Sequence, residues 1–90
     1  MPDNQCAFIW YNADELEMDD LKAWLKLVKN KTGQNGRLYV RRKEGKTTFM
    51  ESYSNLSEAT ATAIERLAAT HPPFQGIERR CESFLRIDKP

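Results

Sequence analysis

Two glutamates stand in near-identical settings, Glu51-Ser52-Tyr53 and Glu82-Ser83-Phe84. Paired carboxylates do acid–base work when they share a proton, and that requires near contact. These two fall on strands expected to flank a third, so their backbones should lie roughly 10 Å apart. That separation argues against catalysis by the pair alone. It favours ion pairs with arginines instead, Glu51 with Arg37 across a hairpin and Glu82 with arginines of a second chain. A sharper alternative has Arg41, Glu51 and Tyr53 gripping a polar ligand between aromatic walls. No catalytic residue is assigned.

The remaining chemistry-bearing residues are few. His71 is the sole histidine and sits at an expected helix end, where the dipole favours a charged, capping ring. One histidine and two cysteines, Cys6 and Cys81, cannot build a zinc site, and no metal or cofactor is expected. The cysteines begin neighbouring antiparallel strands, which should hold them roughly 15 Å or more apart, too far for a disulfide. Gly33-Gln34-Asn35-Gly36 follows a helix and precedes a strand, the reverse of a phosphate loop. Arg37, Arg41, Arg42, Lys43 and Lys46 form a basic cluster beside Phe49 and Tyr53, a combination found on single-stranded RNA platforms. Glu51 lies between those aromatics and Glu82 nearby, and both repel phosphate.

Fourteen basic residues against thirteen acidic ones leave a formal net charge of +1, without the basic excess of a nucleic-acid binder. Hydrophobic content of 40% with 30% charge fits a globular chain of 90 residues, read as one domain over 1–90. No stretch reaches the roughly 18 apolar residues of a membrane span, and the opening Met-Pro-Asp-Asn-Gln lacks the features of a signal peptide. Low cysteine use points to a reduced, cytoplasmic setting.

The elements that must position these residues follow from periodicity. Cys6 to Asn12 is apolar on both faces and reads as a central strand. Asp14 and Glu17 suggest a capping box for a first helix reaching Lys31, with Met18, Leu21, Trp24, Leu25 and Val28 on its buried stripe. Arg37–Arg42 and Lys46–Tyr53 read as a hairpin. A two-residue turn at Glu44-Gly45 would put Leu38 opposite Glu51 and bury a carboxylate. A three-residue loop, Lys43 to Gly45, pairs Arg37 with Glu51 and Tyr39 with Phe49, and is preferred on that ground. Ser57 caps a second helix reaching Thr70, burying Ala63, Ile64, Leu67 and Ala68. Arg79 to Ile87 alternates as a last strand, and 88–90 is read as a frayed tail.

The order βαββαβ with short right-handed crossovers gives an α+β, ferredoxin-like fold: a four-stranded antiparallel sheet, order 4-1-3-2, with both helices on one face. The helix side takes Ala7, Ile9, Tyr11, Leu38, Val40, Met50, Ser52, Cys81, Ser83 and Leu85. The open side takes Phe8, Trp10, Tyr39, Phe49, Tyr53 and Phe84, six of the nine aromatics, with Arg37, Arg41, Glu51, Glu82 and Arg86 among them. Soluble monomers rarely expose an apolar patch beyond roughly 300–600 Å², so this face should be covered.

The segments CAFIWYN, TGQNGRLYVRR, FMESY and ERRCESF resemble a bacterial family of short, uncharacterised proteins. Its members carry a T-G-x-x-G-R-L segment, a W-M-E-x-Y strand and a closing R-H-x-E-R-F. Phe49, Arg80 and Ser83 depart from those patterns. That family is similar in layout to the dimeric α+β barrel proteins, whose ferredoxin-like sheets pack open face to open face. The resemblance implies a fold and a dimer, and no reaction.

The leading expectation is therefore a homodimer whose open face, with Phe8, Trp10, Tyr39, Arg41, Phe49, Glu51, Tyr53, Glu82 and Phe84, forms the interface and a site for a small aromatic or lipophilic ligand. The alternatives are a cofactor-independent barrel enzyme using Tyr39, Arg41, Glu51 and Tyr53, and a single-stranded RNA module.

Overall fold

The computed structural model describes residues 5–88, so Lys89 and Pro90 of the expected tail lie outside the described residues. The chain runs β1 (Gln5–Asn12), α1 (Met18–Thr32), β2 (Gly36–Lys43), β3 (Lys46–Tyr53), α2 (Glu58–Ala69), a short 3-10 turn (Pro72–Phe74) and β4 (Arg80–Leu85). The strands form one sheet in the order β2-β3-β1-β4, which is 4-1-3-2 counted from the opposite edge, with every pairing antiparallel. This is the expected ferredoxin-like layout.

Local signals set the element ends. Asp14 does not cap α1, because its carboxylate accepts the Thr47 N–H at 2.8 Å and ties the chain to the start of β3. The cap falls at Glu17, whose side chain forms a reciprocal box with Asp20. Gly33 closes α1 in the left-handed conformation and donates its N–H to the Lys29 carbonyl at 2.8 Å. Ser57 caps α2 as expected, its hydroxyl accepting the Thr60 N–H at 3.1 Å. Leu56, just before it, is buried.

The hairpin overturns the expected loop. Lys43 pairs with Lys46, so the turn holds only Glu44 and Gly45. Their φ angles are 52° and 77°, and two consecutive positive values are what a type I′ turn needs. The pairing becomes Leu38 with Glu51, Val40 with Phe49 and Tyr39 with Met50. Every β3 side chain therefore sits on the sheet face opposite to the one expected. Phe49, Glu51 and Tyr53 lie under the helices, while Thr48, Met50 and Ser52 face outward.

The core forms between that side of the sheet and the two helices. Ala7, Ile9, Tyr11, Phe49 and Tyr53 meet Leu21, Trp24 and Val28 of α1 and Ile64 and Ala68 of α2. Phe74, from the 3-10 turn, closes one end. The two cysteines are free. Cys6 stands opposite Phe84 and Cys81 opposite Ile9, an offset of roughly 10 Å, shorter than expected, with the side chains on opposite faces.

Candidate functional site

Glu51 is the one fully buried charged residue among those described. Burial of a bare carboxylate is costly, so its partners decide whether the register can stand. Tyr11 of β1 donates its hydroxyl to Oε2 at 2.6 Å. Tyr53, two residues along β3, donates to Oε1 at 2.8 Å. The Trp24 indole N–H of α1 donates to Oε1 at 3.0 Å. Arg79, in the segment before β4, donates Nη1 to Oε2 at 2.6 Å and Nη2 to Oε1 at 3.5 Å. All of these are donors, and the set matches what an ionised carboxylate accepts.

The arginine is enclosed as well. Its side chain is 8% exposed, and its guanidinium carbon lies 4.5 Å from the Phe74 ring centre, 5.2 Å from Tyr11 and 5.5 Å from Trp24. An aromatic cage of this kind stabilises a cation that has left water. Its Nε is buried without a partner. Burial opposes the guanidinium charge, but the hydrogen bond and charge of Glu51 outweigh it and lift the Arg79 pKa above the ordinary value. The Tyr11 and Tyr53 hydroxyls are both pushed well up, first by burial and then by the charge of Glu51. They are neutral donors throughout the physiological range.

His71 belongs to the rim of this cluster rather than to a helix cap. Its ring lies 4.9 Å from Trp24 and 5.0 Å from Phe74. Burial lowers its pKa and the nearby Arg79 charge lowers it further, against the charged ring expected from its place in the chain. Around the carboxylate the cluster is saturated. It fastens the segment from His71 to Arg79 onto α1 and the sheet, and it leaves the carboxylate no exposed oxygen to act on a substrate.

The open face carries what remains of the expected site. Phe8, Trp10, Tyr39, Arg41, Glu82 and Phe84 lie there, whereas Phe49, Glu51 and Tyr53 lie beneath the sheet. The expected Arg37–Glu51 pair is replaced by Arg37 opposite Ser52. Phe8 and Phe84 pack edge to face at 5.8 Å. Trp10, Met50 and Tyr39 form a row across three strands. They line a hollow of about 360 Å³ with Val40, Arg41 and Thr48. Tyr39, Arg41, Glu51 and Tyr53 do not converge, so the four-residue enzyme site is not assembled. The RNA platform also loses its third-strand aromatics, since Phe49 and Tyr53 are 1% exposed.

Sequence reasoning missed Arg79, Tyr11 and Trp24 as partners of Glu51. Nothing local in the sequence marks these partners, which stand 27 to 40 positions from Glu51.

No helix among the described residues is long and apolar enough to cross a membrane, and no group of metal-binding side chains occurs among them. No family model matches the chain, and no curated protein does. Solved structures do. The de novo designed protein Foldit4 is similar at a TM-score of 0.64 and 10% identity, over 92% of this chain and 98% of that one. The design Ferredog-Diesel is similar at 0.54 and 20%, over 86% and 83%. A putative PII-like signaling protein from Thermus thermophilus is similar at 0.57 and 18%, over 92% and 87%. At these identities the likeness extends to the fold alone.

Proposed function

We propose that this chain is a homodimerising domain of a reducing, cytoplasmic setting whose open sheet face is its working surface. On this reading the open faces of two copies meet and enclose a small aromatic or lipophilic ligand. The carrying observation is the hollow between Trp10, Tyr39 and Met50, walled by rings and a thioether and bearing Arg41 as its cation. Pockets that are mostly apolar with one or two placed polar groups are what small ligands occupy. Tyr39 and Phe84 on the same face are 49% and 55% exposed, which leaves apolar area for a partner to cover. The family resemblance, with its dimeric-barrel layout, points the same way. Removal of Glu51 to the core counts against the enzyme alternative.

The test combines association and ligand capture. Sedimentation equilibrium should show association that Tyr39→Arg weakens, and an interface of standard size needs about 800 Å² per partner. The probe 1-anilinonaphthalene-8-sulfonate, aromatic and anionic, should bind and quench Trp10, and Arg41→Ala together with Tyr39→Ala should weaken it about tenfold. A chain that is monomeric at micromolar concentration and leaves Trp10 fluorescence unaltered would overturn this reading.

A further inference from the structure

We propose that β4 is a self-pairing edge, so that β4 of one chain binds β4 of a second copy, antiparallel, about a two-fold axis through Phe84. The strand is the outermost of the sheet, bonded only to β1, and all its residues from Arg80 to Leu85 are exposed. Apolar side chains continue beyond it, with Leu85 72% and Ile87 91% exposed. An uncovered edge with apolar residues is a template for another strand unless something blocks it.

The order of charges selects the partner. Pairing with β1 sets Arg80 opposite Trp10, Glu82 opposite Phe8 and Phe84 opposite Cys6, so these three share the open face. Continuing the alternation adds Arg86 and Asp88 to that row. The row reads positive, negative, Phe84, positive, negative. Turned about Phe84 onto a copy of itself, it places Arg80 opposite Asp88 and Glu82 opposite Arg86, each twice by symmetry, with Phe84 against Phe84. On the helix side the same rotation sets Cys81 against Ile87 and Ser83 against Leu85, covering the two most exposed apolar residues. A two-fold contact must be self-complementary in this way.

Adjacent registers fail. An axis through Ser83 puts Arg80 opposite Arg86, and one through Leu85 puts Glu82 opposite Asp88. Like charges directly opposite destabilise a pair, so the register is specified as well as permitted. Charges placed only to keep the edge unpaired would need no such order. In the single chain Arg86 bonds Asp88 at 2.6 Å and Arg80 lies 3.9 Å from Glu78. These are exposed pairs of small net value, and they exchange for partner contacts as β4 lengthens toward Asp88.

This contact is separate from the open face. It joins two sheets side by side and leaves the hollow at Trp10 and Tyr39 uncovered. Where open faces also meet, two joined sheets stack into a tetramer; where they do not, the edge alone gives a dimer.

The experiment is sedimentation equilibrium of the full chain carrying Tyr39→Arg, which puts a charge on the open face and silences that contact. Association should persist in this background. Adding Glu82→Arg sets arginine against Arg86 twice and should weaken association at least about tenfold. Adding Arg86→Glu to that variant restores opposite charges and should return the affinity to within about threefold. Circular dichroism should be unchanged, since each altered side chain is exposed. Three results overturn the proposal: a Tyr39→Arg chain monomeric up to about 1 mM, an unaltered affinity on Glu82→Arg, or no recovery in the charge-swapped chain.

Discussion

Glu51 and Arg79 form an ion pair at 2.6 Å with the carboxylate wholly out of water and the arginine side chain 8% exposed. The pair joins the middle of β3 to the segment leading into β4, across 28 residues of sequence. Attraction between such charges is offset by the loss of their hydration, so the pair need not be a net source of stability. Its consequence is specificity. Glu51 finds these donors only in the register that buries it.

Removing both partners should therefore cost less than the sum of removing each alone. Glu51→Leu strands a caged guanidinium and leaves two hydroxyls and an indole N–H unpaired; a loss of about 3–5 kcal/mol is expected. Arg79→Met, which keeps the ring contacts, should cost a similar amount through the abandoned carboxylate. Chemical denaturation of the double variant should show a loss smaller than the sum, by about 1–3 kcal/mol. Additive losses would mean the two charges are not coupled.

Alkaline pH should unfold the protein early. Tyr11 and Tyr53 have folded pKa values raised above the ordinary 10 by burial and by Glu51. Below pH 10 neither folded nor unfolded chain ionises them, and their contribution is intact. Above it the unfolded chain loses these protons while the folded chain keeps them. Stability should fall with a slope of about 1.4 kcal/mol per pH unit for each tyrosine. Denaturant midpoints between pH 9 and 11 would show the bend, and Tyr53→Phe should halve the slope.

Much of the fold was legible in the sequence. The apolar run from Cys6 to Asn12 marked a central strand, Ser57 marked a helix start, and strand order followed from crossover handedness. The face of β3 was not legible. A strand's period of two makes register an all-or-none choice, and hydrophobicity alone rejects a carboxylate facing the core. Compensation comes from Tyr11, Trp24 and Arg79, residues 27 to 40 positions away. Such long-range pairing leaves no local trace. Six of the nine candidate residues, Trp10, Tyr39 and Arg41 among them, lie on the face expected for them, because β1, β2 and β4 were assigned their faces correctly.

Gly36 should resist substitution for reasons of space. It pairs with Tyr53 across β2 and β3, and a Cβ at this position would meet the Tyr53 ring at 2.5 Å and Leu25 at 3.1 Å. The ring is packed within the core and has no room to retreat. Gly36→Ala is expected to destabilise by about 1–3 kcal/mol. In thermal melts Tyr53→Phe should not rescue it, because the clash is with the ring rather than the hydroxyl.

The turn offers the converse test, a gain. Glu44 holds a φ of 52°, a left-handed conformation that glutamate adopts at a cost and asparagine tolerates. Glu44→Asn followed by Gly45 is the preferred type I′ pair and should stabilise by about 0.5–1 kcal/mol, or about 2–8 °C in Tm. Glu44→Val should lower Tm, since a branched side chain fits that backbone poorly. Inserting a glycine after Glu44 builds the three-residue loop instead. If the pairing shifts by one, Glu51 turns to the open face and Arg79 is left caged without its carboxylate. The insertion should then cost more than any loop-length effect, which is well under 1 kcal/mol for one added residue. Arg79→Met should recover part of that loss only if the register has moved. A cost unaffected by Arg79→Met would show that the strand keeps its register and absorbs the extra residue as a bulge.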